Sequence, residues 1–105
     1  MNCVVDTVRY REDIIFLWHE SFGDNREYIE FFLDNCEDKL CLGYIGKNGL
    51  ASMLFLLNGS VNGCSCKYIY AACTSKGFRG QGLMGGLIEY SKQICSDNNF
   101  DFIFL

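Results

Sequence analysis

Residues 74–86, Thr-Ser-Lys-Gly-Phe-Arg-Gly-Gln-Gly-Leu-Met-Gly-Gly, constrain this chain more than any other segment. Gly77, Gly80, Gly82, Gly85 and Gly86 crowd the space between an apolar β-like run that ends near Thr74 and a helical pattern that starts near Leu83. Glycine lets the backbone take positive φ and approach a ligand closely. A strand that turns through glycines into a helix presents backbone N–H groups at the helix N-terminus, an arrangement that holds phosphate. Arg79 adds a fixed positive charge. The segment reads as a pyrophosphate cradle, or else as a strand-to-helix turn that needs glycine sterically.

Periodicity places the rest. Val4 to Arg9 is a short strand candidate, and from Arg11 the spacing of Ile14, Trp18 and Phe22, broadened by Ile15 and Leu17, predicts a helix that Gly23 stops. Asp24 with Glu27 three residues on reads as an N-cap for a second helix bearing Tyr28, Ile29, Phe32 and Leu33, with Phe31 nearby, ending around Asn35. Leu40–Ile45, Leu50–Leu57 and Lys67–Thr74 predict three antiparallel strands, the first two joined at Gly46–Gly49 and the last two at the hairpin dipeptide Asn62-Gly63. Leu83, Leu87, Tyr90 and Ile94 mark a third helix, and Phe100 to Leu105 a last strand. The order β-α-α-β-β-β-α-β implies an α+β fold with a mixed sheet and helices on its faces. A length of 105 residues fits one domain, spanning 1–105, with no internal repeat or linker.

Charge divides unevenly. Residues 1–38 carry ten carboxylates against three arginines, a net of −7, and residues 39–105 carry three against six cations, a net of +3. The overall net of −4 argues against a nucleic-acid partner. No apolar run is long enough for a membrane span, and Met1–Asp6 meets a charge too early for a leader, so the expectation is a cytoplasmic domain without a membrane partner. Seven cysteines at odd spacings, with no C-x-x-C and only His19 as a histidine, form neither a disulfide framework nor a zinc site. Most are expected to be small buried hydrophobes.

Two ligand chemistries fit the glycine segment. Gly80-x-Gly82-x-x-Gly85 matches the dinucleotide fingerprint, which would make the chain an NAD(P)-binding protein. That fingerprint follows its strand at once within a parallel sheet, whereas Ser75 to Arg79 intervene here and the strands before it are antiparallel. Arg79-Gly80-Gln81-Gly82-Leu83-Met84 resembles instead the acetyl-CoA loop, Q/R-x-x-G-x-G/A, of the GNAT superfamily of N-acetyltransferases. Met84 departs from the final small residue and Lys76 from a common proline. Leu17-Trp18-His19-Glu20-Ser21-Phe22-Gly23-Asp24 and the aromatic helix after it are similar to bacterial members of the Eis-like branch.

The resemblance covers the whole chain and implies a GNAT-like fold with acetyl-CoA as co-substrate. It implies that backbone groups of Ala72, Cys73 and Thr74 pair with the pantetheine arm, and that Gly80, Gln81, Gly82, Leu83, Met84 and Gly85 bind the pyrophosphate with Arg79 shaping the loop. Gly85 and Gly86 would let the third helix pack closely on sheet and cofactor. The acceptor would be an amine-bearing small molecule or peptide, drawn by Glu20 and Asp24 to the turn between the first two helices, with Phe22, Phe31 and Phe32 as core or pocket wall. His19 is a candidate base or a structural residue, and Cys73 a packing residue or a reactive thiol. The family's catalytic tyrosine follows the strand that ends at Leu105, so no catalytic residue carries over; Tyr68, Tyr70 and Tyr90 read as core or strand-face aromatics. The expected chain is thus the cofactor half of an acetyltransferase, truncated in its last strand, or a non-catalytic CoA-binding or interaction remnant of that fold. An apolar edge from Phe100 to Leu105 would favour a homodimer or swapped oligomer.

Overall fold

The computed structural model describes residues 1–98 and 103–104. Its strands are β1 (Asn2–Val4), β2 (Leu40–Gly46), β3 (Gly49–Val61), β4 (Cys64–Thr74) and β5 (Ile103–Phe104); its helices are α1 (Arg11–Phe22), α2 (Arg26–Asn35) and α3 (Leu83–Asp97). The sheet order is β1-β2-β3-β4-β5, antiparallel throughout except for the parallel pair β4–β5. This is the mixed α+β architecture that the periodicity implies. Of the last strand expected over Phe100–Leu105, only Ile103 and Phe104 belong to the described residues; the rest of it lies outside them.

Alternation along β3 builds two cores, because successive side chains of a strand face opposite ways. Met53, Phe55 and Leu57 join Ile14, Leu17 and Trp18 of α1 and Ile29 and Leu33 of α2. Leu54 and Leu56 face the other side, with Leu42 of β2 and Leu87 and Cys95 of α3. Burying each large apolar side chain contributes about 1.5–3 kcal/mol, so a central strand apolar on both faces holds both helical layers. Arg11 ties α1 to α2 through Asp34 at 2.8 Å and Glu30 at 3.4 Å, and Arg26 returns to Glu12 at 2.6 Å. Among the described residues no helix is long and apolar enough to cross a membrane.

Several expectations need correction. The first strand is Asn2–Val4 rather than Val4–Arg9. Asp6 Oδ1 accepts the backbone N–H groups of Val8 and Arg9 at 2.9 and 3.1 Å, which turns the chain there. The α2 cap is Asn25 rather than Asp24: Asn25 Oδ1 accepts Tyr28 N at 2.8 Å, while Asp24 Oδ2 accepts the Trp18 indole N–H at 2.9 Å. Phe22 falls off the buried face of α1 and is 50% exposed, and Phe31 and Tyr28 are exposed on α2. The buried stripe of α3 is Leu87, Ser91 and Cys95, with Leu83, Tyr90 and Ile94 half-buried at its flanks. The β3–β4 hairpin is longer than its apolar core, reaching to Asn62 and Gly63, both at positive φ as that turn requires.

Candidate functional site

The register of β3 against β4 slips once. Met53 pairs with Cys73 and Phe55 with Tyr70, so Ala71 and Ala72 together oppose Leu54. Ala71 sits at φ +55°, a left-handed conformation rare for a side chain larger than glycine's. This β-bulge changes the parity of the strand. Cys73 and Tyr70, three apart, both pack on the α1–α2 side, and Ala72 and Ile69 both pack on the α3 side. The outer edge of β4 pairs with β5 only at Lys67 and Tyr68; from Ile69 to Thr74 that edge has no strand beside it among the described residues.

After Thr74 the chain makes one 3₁₀ turn, Lys76–Phe78, and then the glycine loop. Two bonds fix this passage: Glu20 Oε1 accepts Lys76 N at 3.2 Å, and Arg79 Nε donates to the Thr74 carbonyl at 2.9 Å. Gly80 and Gly82 take φ of +82° and +77°. Gly82 is the N-cap of α3, which has neither a side-chain cap nor an acidic residue in its first turn. The first helical bond runs from Gly86 N to Gly82 O, so the N–H groups of Leu83, Met84 and Gly85 precede it. Gly85 and Gly86 do not serve close packing of α3 against the protein. A Cβ on Gly85 would meet nothing within 4 Å, and one on Gly86 only the Asn2 amide at 3.4 Å.

Ser21 and Phe22 of α1, Ala72, Cys73 and Thr74 of β4, Arg79 of the loop and Met84 of α3 line one open cleft of about 360 Å³. Five of the sequence-predicted residues therefore meet there. Gly80, Gln81, Gly82, Leu83 and Gly85 form the adjoining loop and first helical turn. Burial pushes the Cys73 thiol up to about 11, which favours its protonated form at neutral pH. All seven cysteines are free: Cys41, Cys66, Cys73 and Cys95 are buried, Cys3 and Cys36 half-buried, and Cys64 exposed. No group of metal-ligating side chains gathers among the described residues.

A second cavity, of about 310 Å³, opens on the α1–α2 side of the bulge between Trp18, Phe22, Asp24, Tyr70 and Ala71. Phe22 lines both openings, and the neighbours Ala71 and Ala72 floor one each. The Tyr70 hydroxyl lies 2.7 Å from that of Tyr28, a bond that, with burial, pushes Tyr70 up to about 12. His19 Nδ1 donates to the Asp24 carbonyl at 2.8 Å, a bond that holds the α1–α2 turn. Sequence reasoning placed Tyr70 as a strand-face aromatic and missed the bulge; the Ala-Ala pair within an otherwise bulky strand is its one local signal.

No family model matches the chain, and no curated protein matches it in sequence. Solved structures match its shape. Ribosomal-protein-alanine N-acetyltransferase of Brucella melitensis biovar Abortus 2308 superposes with a TM-score of 0.84 at 14% identity, covering 100% of this chain and 78% of that one. A GNAT family acetyltransferase of Staphylococcus aureus subsp. aureus USA300_TCH1516 gives 0.81 at 15% identity, covering 100% and 84%. An aminoglycoside acetyltransferase from an uncultured soil metagenomic sample gives 0.78 at 20%, covering 99% and 76%. At such identities the match establishes the fold.

Proposed function

We propose that this chain, whose fold is that of the GNAT acetyltransferases, binds acetyl-CoA in the cleft between β4 and α3 and passes its acetyl group to an amine. One observation carries the reading: a bulged strand and an uncapped helix N-terminus behind two left-handed glycines meet in the same cleft. Acetyl-CoA supplies an acyl thioester; in the transfer a C–N bond forms as the C–S bond breaks, the nitrogen loses a proton and the departing thiolate gains one.

The residues present fit that ligand. Leu83, Met84 and Gly85 offer backbone donors, Arg79 offers positive charge, and the open space over Gly85 leaves room for a pyrophosphate. Along β4 the backbone of Ala72, Cys73 and Thr74, on an edge that no strand among the described residues covers, offers amide pairing of the kind that adds a strand to a sheet, which suits the pantetheine amides. The protonated Cys73 supports direct transfer rather than passage through an acyl-cysteine. The amine acceptor enters from the α1–α2 side, and the likeness of Leu17–Asp24 to the Eis-like branch supports that direction.

Isothermal titration of the purified chain with acetyl-CoA and with CoA tests the reading. Saturable binding is expected, and the double variant Arg79→Glu with Gly82→Asp should abolish it through like charge at the cradle. A folded sample that binds neither ligand would refute the proposal. Thiol release measured over a panel of amines then separates turnover from binding alone.

A further inference from the structure

The cavity on the α1–α2 side of the bulge has a chemistry distinct from that of the cleft. Its walls are the rings of Phe22 and Tyr70, with the buried Trp18 behind them, and its one charged lining residue is Asp24. The indole N–H of Trp18, 2.9 Å away, holds that carboxylate in place through Oδ2. No cation among the described residues pairs with it: Arg26, the nearest arginine in sequence, is engaged by Glu12 at 2.6 Å and Glu30 at 3.4 Å. The Tyr70 hydroxyl, bonded to that of Tyr28, adds a neutral oxygen beside it. Half of the Phe22 surface is open to water, so its ring forms an accessible wall.

Aromatic faces around a fixed, unpaired carboxylate attract an alkylammonium and repel an anion. The π-faces favour a cation, the carboxylate neutralises it, and a hydroxyl oxygen accepts a further N–H donor. A ligand with phosphate or carboxylate next to its amine would set like charge against Asp24. We propose that this cavity is a subsite for the alkylammonium group of a cationic amine that carries no neighbouring anion. That this amine is the acetyl acceptor rests on the transferase reading; that the cavity binds it does not. The floor supports the link, since Ala71 beneath the cavity is the immediate chain neighbour of Ala72 in the cleft.

Trp18 is the only tryptophan in the chain, so its emission reports the cavity directly. The probes are 1,4-diaminobutane, Nα-acetyl-lysine amide and, as an amine with a neighbouring anion, O-phosphoethanolamine, each titrated with and without CoA. A saturable change is expected with a cationic probe and none with O-phosphoethanolamine. The tighter of the two cationic probes tells a free diamine from a lysine side chain as the source. Asp24→Asn should weaken binding about tenfold or more, and Phe22→Ala, at an exposed position that leaves folding intact, about two- to fivefold. No saturation with either cationic probe, equal binding of O-phosphoethanolamine, or unchanged affinity in both variants would overturn the proposal. Acetyl-CoA binding is measured separately by calorimetry, so failure here leaves that reading standing, and the reverse.

Discussion

Replacing Gly82 and Gly85 one at a time by alanine should move stability in opposite directions, although the two lie in the same loop-to-helix junction. At Gly82 the backbone sits at φ +77°, where a Cβ costs about 1–2 kcal/mol. The substitution also lowers the entropy of the unfolded chain, which offsets about 0.4–1 kcal/mol. Gly82→Ala should therefore destabilise by about 0.5–1 kcal/mol. At Gly85 the backbone is helical and a Cβ meets nothing within 4 Å, so the entropy gain stands unopposed and Gly85→Ala should stabilise by about 0.5–1 kcal/mol. For a domain of this size each kcal/mol shifts Tm by about 4–8 °C, which leaves the two variants several degrees apart on either side of the parent. Thermal melts followed by far-ultraviolet circular dichroism, with urea titrations followed by Trp18 emission, read the difference. The same Gly85→Ala protein should bind acetyl-CoA more weakly, since the open space over the first turn of α3 is then partly filled. A Gly82→Ala protein as stable as the parent, or a destabilised Gly85→Ala protein, would refute the reasoning about this turn.

Two further outcomes follow from other parts of the structure. Asn25→Ala should cost about 1 kcal/mol by urea titration, because it removes the side-chain cap that accepts Tyr28 N; no loss would return the cap to Asp24. Stability should fall at alkaline pH, because burial pushes Cys41 up to about 12 and Cys73 up to about 11 from an ordinary value of 9.0. Above about pH 9 the unfolded chain sheds protons that the folded chain keeps, so each thiol costs about 1.4 kcal/mol per pH unit until its folded pKa is passed. Urea midpoints at pH 7.5 and 10.5 should show a smaller alkaline loss in Cys73→Ala than in the parent, and equal losses would refute this origin.

Much of the fold is legible in the sequence because the two periods differ so plainly. Ile14, Trp18 and Ile29, Leu33 recur at helical spacing, while Met53 to Leu57 are apolar at every position and bounded by turn residues, which suits a strand covered on both faces. The glycine loop is legible for a different reason: positive φ at Gly80 and Gly82 is a local demand that a local pattern meets. The choice between Asp24 and Asn25 as the α2 cap is not legible. Both residue types cap well, and what decides is the Trp18 indole, which claims Asp24 through a tertiary bond. Phe22 escapes for a similar reason, since its place in the helical period is correct but it stands between two openings at β4, an open wall instead of a core residue.

The bulge is the least legible feature and the one on which the site depends most. Residue alternation in β4 predicts that Tyr70 and Cys73 face opposite sides of the sheet, and only the extra residue opposite Leu54 brings them to one side. A left-handed alanine costs on the order of 1 kcal/mol, and it persists because undoing it would turn Tyr70 away from Trp18, whose ring centroid lies 5.8 Å off, and Ile69 away from the α3 side. The same kink places Ala71 under the aromatic cavity and Ala72 in the cleft. Packing on the α1–α2 face thus stabilises the backbone distortion that joins the two openings. The bulged pair Ala71 and Ala72 is thus the short stretch of β4 that links the two openings.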